Sequence, residues 1–265
     1  MDDQIGQAAE AIRSRKPGVA LTGAGVSAES GISTYRDPGG LWDTYQEGAS
    51  GGMMAVLAAR PDKAPEILGA FFGRLRRAEP NPGHLALAEL EKMGRLSAVI
   101  TQNVDGLHRR AGSTAYELHG SLYRVRCLTC GRKEELDRET LFSLADRMIE
   151  GFTQGQGRSG PRAGVFPPCA CGAGPMRLDF VGFGEPVQDL DKALGEVGRC
   201  DFMLVVGTSG FVHPAAGLPG RAKARGAFLI EVNPKESEIT PICDLFLQGA
   251  GGEVLPKLVE ALRAP

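Results

Sequence analysis

The 265-residue chain has no long apolar run, no block of one charge and no internal repeat, and each absence narrows what it can be. No stretch reaches the roughly 18 consecutive apolar residues of a membrane span. Residues 1–10 open with Asp2 and Asp3, where a signal peptide carries a basic start and an apolar core. A cytoplasmic protein with no membrane partner is therefore expected. Thirty Lys and Arg against 32 Asp and Glu give a net charge of −2, with no basic stripe to neutralise phosphates, so no direct nucleic-acid partner is expected either. Hydrophobic content of 42% and charged content of 23% are ordinary globular values, and the length suits a main α/β domain carrying a smaller insertion.

Four short apolar runs set the organisation. "VALTGAG" follows an amphipathic stretch over residues 4–15 that stops before Pro17 and Gly18, and it reads as a buried strand entering a turn. "LSAVITQN" (Leu96 to Asn103), "DFMLVVGTS" (Asp201 to Ser209) and "AFLIEVNP" (Ala227 to Pro234) also read as strands, each ending in polar residues. In a parallel sheet those ends lie along one edge, where doubly wound folds bind ligands. The geometry gathers Gly23–Ala24–Gly25, Gln102–Asn103–Asp105, Gly207–Thr208–Ser209 and Asn233 into one site. Stretches His84 to Met93 and Glu253 to Leu262 have the helical period to cover the sheet faces. The expected fold is α/β: a doubly wound, Rossmann-like, mostly parallel sheet from residues 1–122 and 179–265, with a smaller inserted module at 123–178. Within the insertion, the Gly-rich polar segment Glu150 to Gly164 reads as a flexible loop.

Gly23, Gly25 and Ala28 have the G-x-G-x-x-G/A spacing that lets backbone approach a pyrophosphate at a helix N-terminus. Such a turn also occurs without a ligand. The acidic residue that usually ends a second strand about 20 residues later is lacking, so a ribose must be held some other way. His119 in "ELHGSL" stands close in sequence to the amide-rich strand end. A lone histidine is commonly structural, but a neutral imidazole so placed suits taking a proton from a ribose hydroxyl. His108 falls on a helix face, and no chemistry is assigned to it. Four of the six cysteines form C-x2-C at Cys127 and Cys130 and C-x-C at Cys169 and Cys171, each pair followed by a glycine that lets the knuckle turn. Four thiolates can close a tetrahedral, structural zinc site; the alternative is four buried free thiols. Cys200 and Cys243 read as filling apolar space.

The ordered set "GAGVSAESGISTYRD", "TQNVDGLHRRAG", "ELHGSL", C-x2-C, C-x-C, "FGE", "GTSGFVHPAAGLP" and "EVNP" resembles the sirtuins, NAD-dependent protein lysine deacylases, from about Val19 to Pro256. The resemblance implies NAD as co-substrate, one structural zinc, and acylated lysine side chains of proteins as partners. It implies that the polar stretch after the glycine turn closes over NAD, with Ala24, Ser27, Thr34, Tyr35, Arg36 and Trp42 at the cofactor. Gln102 would meet the ribose, Asn103 would position water and ribose, and Asp105 would meet the nicotinamide carboxamide. Gly207, Thr208, Ser209, Asn233 and the turn at Gly251 would hold the adenosine half. His119 and Asn103 would be catalytic: the acyl oxygen attacks the ribose carbon bearing nicotinamide, and His119 accepts a proton relayed from the 2′-hydroxyl. Nicotinamide, O-acyl-ADP-ribose and free lysine are the implied products. Val181, Phe183, Gly184 and Glu185 would lie in a strand-like segment that the peptide joins by backbone pairing.

Departures from the family pattern bear on the acyl group. "GISTYR" replaces the common "GIPDFR" and brings the loop closest to the desuccinylase-like class. That class grips the acyl carboxylate with a Tyr and an Arg three residues apart, where ungapped alignment here gives Phe72 and Leu75. A carboxylate against two apolar side chains loses its charge-assisted hydrogen bonds and still carries a desolvation cost of a few kcal/mol. A neutral acyl group, acetyl or a longer apolar chain, is therefore expected, with succinyl or malonyl as the alternative if Arg74, Arg76 or Arg77 supplies the charge. Gly182 stands where the family often has a large aromatic residue, which would widen the substrate groove or the acyl channel. ADP-ribosyl transfer or NAD hydrolysis on the same scaffold, and a non-catalytic NAD sensor, are the competing readings.

Overall fold

The computed structural model describes residues 2–34, 44, 48–154 and 165–264. Tyr35, Arg36, Trp42 and residues 155–164 of the expected loop lie outside the described residues. The large sheet has six strands: β1 (Gly18–Thr22), β2 (Leu96–Thr101), β3 (Ala115–Glu117), β7 (Phe202–Val206), β8 (Phe228–Asn233) and β9 (Leu245–Gln248). Their order is β3-β2-β1-β7-β8-β9, with every neighbouring pair parallel. This is the doubly wound arrangement, and its topological switch point falls between β1 and β7.

Alternation along the strands builds two cores. Ala20, Val99, Leu204 and Ile230 face one side and meet Ile5 and Ile12 of α1 (Asp2–Arg13), Leu87 and Leu90 of α4 (Pro82–Lys92), and Leu255 and Leu258 of α9 (Gly251–Arg263). Val19, Leu21, Ile100, Met203 and Leu229 face the other side, against α7 (Leu190–Val197) and α8 (Leu218–Ala224). Both faces are covered, which is why these strands read as continuous apolar runs. The start of α4 is fixed by Asn81, whose Oδ1 accepts from the Gly83 and His84 N–H groups while His84 Nδ1 accepts from Asn81 N.

The smaller unit is an antiparallel sheet of order β5-β4-β6, formed by β4 (Gly120–Cys127), β5 (Lys133–Glu135) and β6 (Met176–Phe180), with α6 (Arg138–Thr153) against it. Its core also takes in Val56 and Leu57 of α2 (Gly48–Ala59) and Ile67, Leu68, Phe72 and Leu75 of α3 (Ala64–Arg77). We group residues 48–77 with this unit on that packing, although their place in sequence puts them in the 1–122 segment. An amphipathic helix shows that it has an apolar face and not which neighbour covers it.

The chain crosses from the large sheet to the small one in the two-residue turn Leu118–His119, between β3 and β4. It passes back beside the same point, where Val181 N donates to His119 O at 2.8 Å. The crossing is tight. Gly120 has φ +79°, and a Cβ there would lie 1.9 Å from Asp179 O. Gly120→Ala therefore combines left-handed strain with a backbone clash, and we expect it to cost about 3 kcal/mol or more, measured as a lowered midpoint in urea unfolding. Among the described residues, no helix is long and apolar enough to cross a membrane.

Candidate active site

The four polar clusters meet at the C-terminal edge of the large sheet and hydrogen-bond one another. Gln102 Nε2 donates to Thr208 Oγ1 at 2.9 Å, Asn103 Nδ2 donates to Gly23 O at 3.1 Å, and Asn233 Nδ2 donates to Thr208 O at 2.9 Å. The glycines permit the approach. A Cβ on Gly23 would sit 2.8 Å from Thr208 Cβ, and one on Gly25 would sit 2.8 Å from Gly207 Cα. The turn leads into a 3₁₀ segment, Ala24–Ser30, and not into a long α-helix, because its Ser and Gly residues offer no apolar stripe to bury. Its expected third small residue, Ala28, is exposed, whereas Ser27 is buried.

Ser27 is the hub beneath the site. Its hydroxyl donates to Asp105 Oδ2 at 2.7 Å and accepts from Asn103 Nδ2 at 3.0 Å, with His84 Nε2 at 3.3 Å. Since His84 Nδ1 accepts at the helix cap and the Ser27 proton is spent on Asp105, His84 is the neutral Nε2–H tautomer. Burial agrees, holding the His84 imidazole down to about 4. Asp105 is pushed up by burial, against the Leu107 N–H and Ser27 O–H groups that favour its charge. His108, expected on a helix face, lies on α5 (Leu107–Ala111) and is buried under the site with Nε2 2.9 Å from Thr22 Oγ1, and burial holds it well below its ordinary value.

His119, half-buried, follows β3 and lies beside Gln102. Its Nδ1 lies 2.9 Å from Gln102 O, an acceptor only, so Nδ1 carries the proton and Nε2 keeps a lone pair. Burial lowers its pKa below 6.5, opposed by that backbone bond, so the ring is neutral at physiological pH. Two residues earlier, Glu117 is pushed up to about 6 by burial, with Arg124 and Arg109 pulling the other way.

A cavity of about 290 Å³ opens between the two units. From the edge of the large sheet it receives Ala24, Ser27, Gln102, Asn103 and Asp105, and from α3 it receives Glu66, Ile67, Ala70, Phe71, Arg74 and Leu75, with Ile32, Ser33, Thr44, Met53, Val104 and Leu122 completing the wall. Of the expected pair Phe72 and Leu75, only Leu75 lines it. Phe72 turns into the small unit's core, and its edge-to-face neighbour Phe71 takes the cavity position, because 67, 71, 74 and 75 share one helix face. Residues 181–185 form a turn beyond β6 and not a strand, with Gly184 at φ +83°. Phe183 is exposed there, and Glu185 accepts from Arg126, Arg177 and Gly182 N. Thr34 is half-buried, and the Ser209 side chain is exposed while its carbonyl accepts from Glu238 N. Gly251 begins α9 beside Val26, and the next N–H, of Gly252, donates to Glu29.

In the small unit, Cys127, Cys130, Cys169 and Cys171 bring their four Sγ atoms within 4.8 Å of one another. Cys127 to Cys171 is 3.7 Å and Cys130 to Cys169 is 3.6 Å. A tetrahedron of Zn–S bonds of about 2.3 Å has edges of about 3.8 Å, so the thiol set fits zinc and leaves no open coordination position. Gly131 and Gly172, at φ +73° and +69°, turn the two knuckles.

The Sir2 family model matches residues 23–214. An NAD-dependent protein deacylase of Desulfosudis oleivorans is 42% identical over 269 residues, covering 99% of this chain and 97% of that protein. A Sir2 homologue solved as its NAD complex superposes with a TM-score of 0.76 at 41% identity, covering 97% of this chain and 93% of the other. Sir2Af2 bound to a myristoylated histone peptide gives 0.68 at 37% identity, covering 99% and 98%.

We expect the purified protein to hold one zinc per chain, Cys169→Ser to lose it, and chelation to melt the small unit. Zinc assay by a colorimetric chelator with circular dichroism checks this, and retention of fold and activity in a metal-free sample would overturn it. The fold, the thiol tetrahedron, the polar crevice and these likenesses agree: the chain belongs to the Sir2 family.

Proposed function

We propose that the chain is an NAD-dependent protein lysine deacylase that takes a neutral acyl group into the cavity and uses His119 as its base. The observation that carries this is the His119 tautomer, with Nδ1–H committed to the carbonyl of Gln102, a residue of the cavity wall, and Nε2 left basic. NAD supplies the electrophilic ribose carbon and the nicotinamide leaving group. The chain's own residues bind, orient and move one proton. Asn103 Nδ2 is spent on Gly23 O and Ser27 Oγ, which turns its Oδ1 outward to orient a hydroxyl or a water. Asp105, fixed by Ser27 and Leu107, keeps lone pairs for an amide N–H such as that of the nicotinamide carboxamide. Gln102 and Thr208 bridge β2 and β7 beneath the ribose, and Asn233 faces the adenosine half.

Magnitudes favour the neutral acyl group. Each methylene buried against Ile67, Phe71, Leu75 and Leu122 contributes about 0.8 kcal/mol. Arg74 is exposed, and an ion pair there is worth no more than about 1 kcal/mol against the desolvation of an acyl carboxylate. The myristoylated peptide held by Sir2Af2 supports the same reading. A succinyl or malonyl group is the second reading, favoured by the presence of Arg74 in the wall.

Acetyl-, succinyl- and long-chain-acyl-lysine peptides with NAD, followed by peptide mass and O-acyl-ADP-ribose, test this. Consumption of the acetyl or long-chain peptide, loss of rate by 10²-fold or more in His119→Ala, and little turnover of the succinyl peptide are expected. Succinyl turnover abolished by Arg74→Ala would establish the second reading. Nicotinamide release at equal rate without any peptide would replace deacylation by NAD hydrolysis.

The pH profile is a separate test. Neutral His119 is the active form and its pKa is lowered, so kcat/KM should be flat at neutral pH and fall on acidification with a midpoint below 6.5. A midpoint above 6.5 would remove His119 as the base.

A further inference from the structure

The sequence lacks the acidic residue that ends the second strand in most dinucleotide sites, where it meets the adenosine ribose and repels a 2′-phosphate. The structure holds a carboxylate elsewhere. Glu231, near the C-terminal end of β8, is fully buried, and none of its polar contacts among the described residues is a cation. Its Oε2 accepts from Thr240 Oγ1 at 2.5 Å, with the Cys243 thiol at 3.9 Å, and its Oε1 accepts from Asn233 Nδ2 at 3.2 Å. The two residues share one face of the strand, two positions apart.

The second partner of Asn233 Nδ2 is Thr208 O at 2.9 Å. A carboxylate and a carbonyl only accept, so the amide NH₂ must point at them and its orientation is settled by chemistry. Asn233 Oδ1 is thereby turned away and receives no hydrogen bond from the described residues. An outward oxygen accepts from a hydroxyl but offers nothing to a phosphate, and the buried negative charge behind it opposes a dianion.

We propose that Glu231 is a positioning residue that locks the Asn233 amide with Oδ1 toward the adenosine ribose diol, and so selects NAD over its 2′-phosphorylated form. This rests on the NAD reading above and adds the residue that sets the selection. Replacing the carboxylate by an amide supplies an N–H that can bond Asn233 Oδ1, which releases the flip and removes the charge.

Calorimetric titration of the full-length, zinc-loaded protein with ADP-ribose and with ADP-ribose 2′-phosphate tests it, with neither ligand consumed. The native protein should prefer ADP-ribose at least tenfold. Glu231→Gln should weaken ADP-ribose five- to tenfold and shrink the preference below threefold, and should add nothing in an Asn233→Ala background. If Glu231→Gln does not fold, Thr240→Val, which frees the carboxylate from its hydroxyl partner, should weaken ADP-ribose in the same direction. Unchanged affinity and preference in a folded Glu231→Gln or Thr240→Val, with Asn233→Ala weakened, would overturn the proposal alone. Native affinity for ADP-ribose in Asn233→Ala would overturn it by removing Asn233 from the ribose, and no binding by the native protein would sink the NAD reading itself.

Discussion

The close approach of two strand ends, β1 and β7, governs the rest of the molecule. Glycine at 23, 25 and 207 lets the two turns touch backbone to backbone, and any side chain there would force the sheet apart. Because the chain order reverses between these strands, their touching turns floor a crevice. Every polar group assigned to chemistry stands on that floor or at its margin.

What the floor holds is orientation more than charge. Asn103, Gln102 and Asn233 each point an NH₂ group at a main-chain carbonyl, of Gly23, Thr22 and Thr208 respectively. A carbonyl cannot donate, so each amide is fixed one way and presents its oxygen to the crevice. The buried histidines below serve the same end. His84 and His108, with rings 4.7 Å apart, are held neutral by burial and hydrogen-bond Ser27 and Thr22 respectively. Apart from the carboxylates of Asp105 and Glu231, which fix Ser27 and Asn233, the charged groups nearby lie outside this layer, in the Arg124, Asp179 and Glu117 network beside the crossing between the two sheets.

Much of this was legible in the sequence for a physical reason. Strands covered on both faces must be apolar throughout, so β1, β2, β7 and β8 announced themselves, and the polar residues after them had to share one edge. The motif order carried the family, the cofactor and the four thiols. Less legible were features set by tertiary neighbours. The edge strands β3 and β9, of three and four residues, are too short to show a period, and α3 gave no sign of which unit it would join. Nor could spacing alone choose between Phe71 and Phe72 for the cavity, since a shift of one residue turns a helix by about 100°. Glu231 was invisible as a site residue because a lone acid within a strand reads as a solvent-facing position until the covering helices are in place.

The β1/β7 pairing also fixes when the molecule becomes itself. Leu21 lies beside Val205, so two strands from opposite ends of the chain must find each other before the crevice has a floor. Contacts of that sequence separation carry a large loop-closure entropy and form late. During synthesis the N-terminal glycine turn emerges early and waits, its strand pairing with β2 on one side but open on the β7 side, while the thiol knuckles are made. A nascent or truncated chain that stops short of β7 has no nucleotide crevice, so competence for the cofactor reports synthesis through β7.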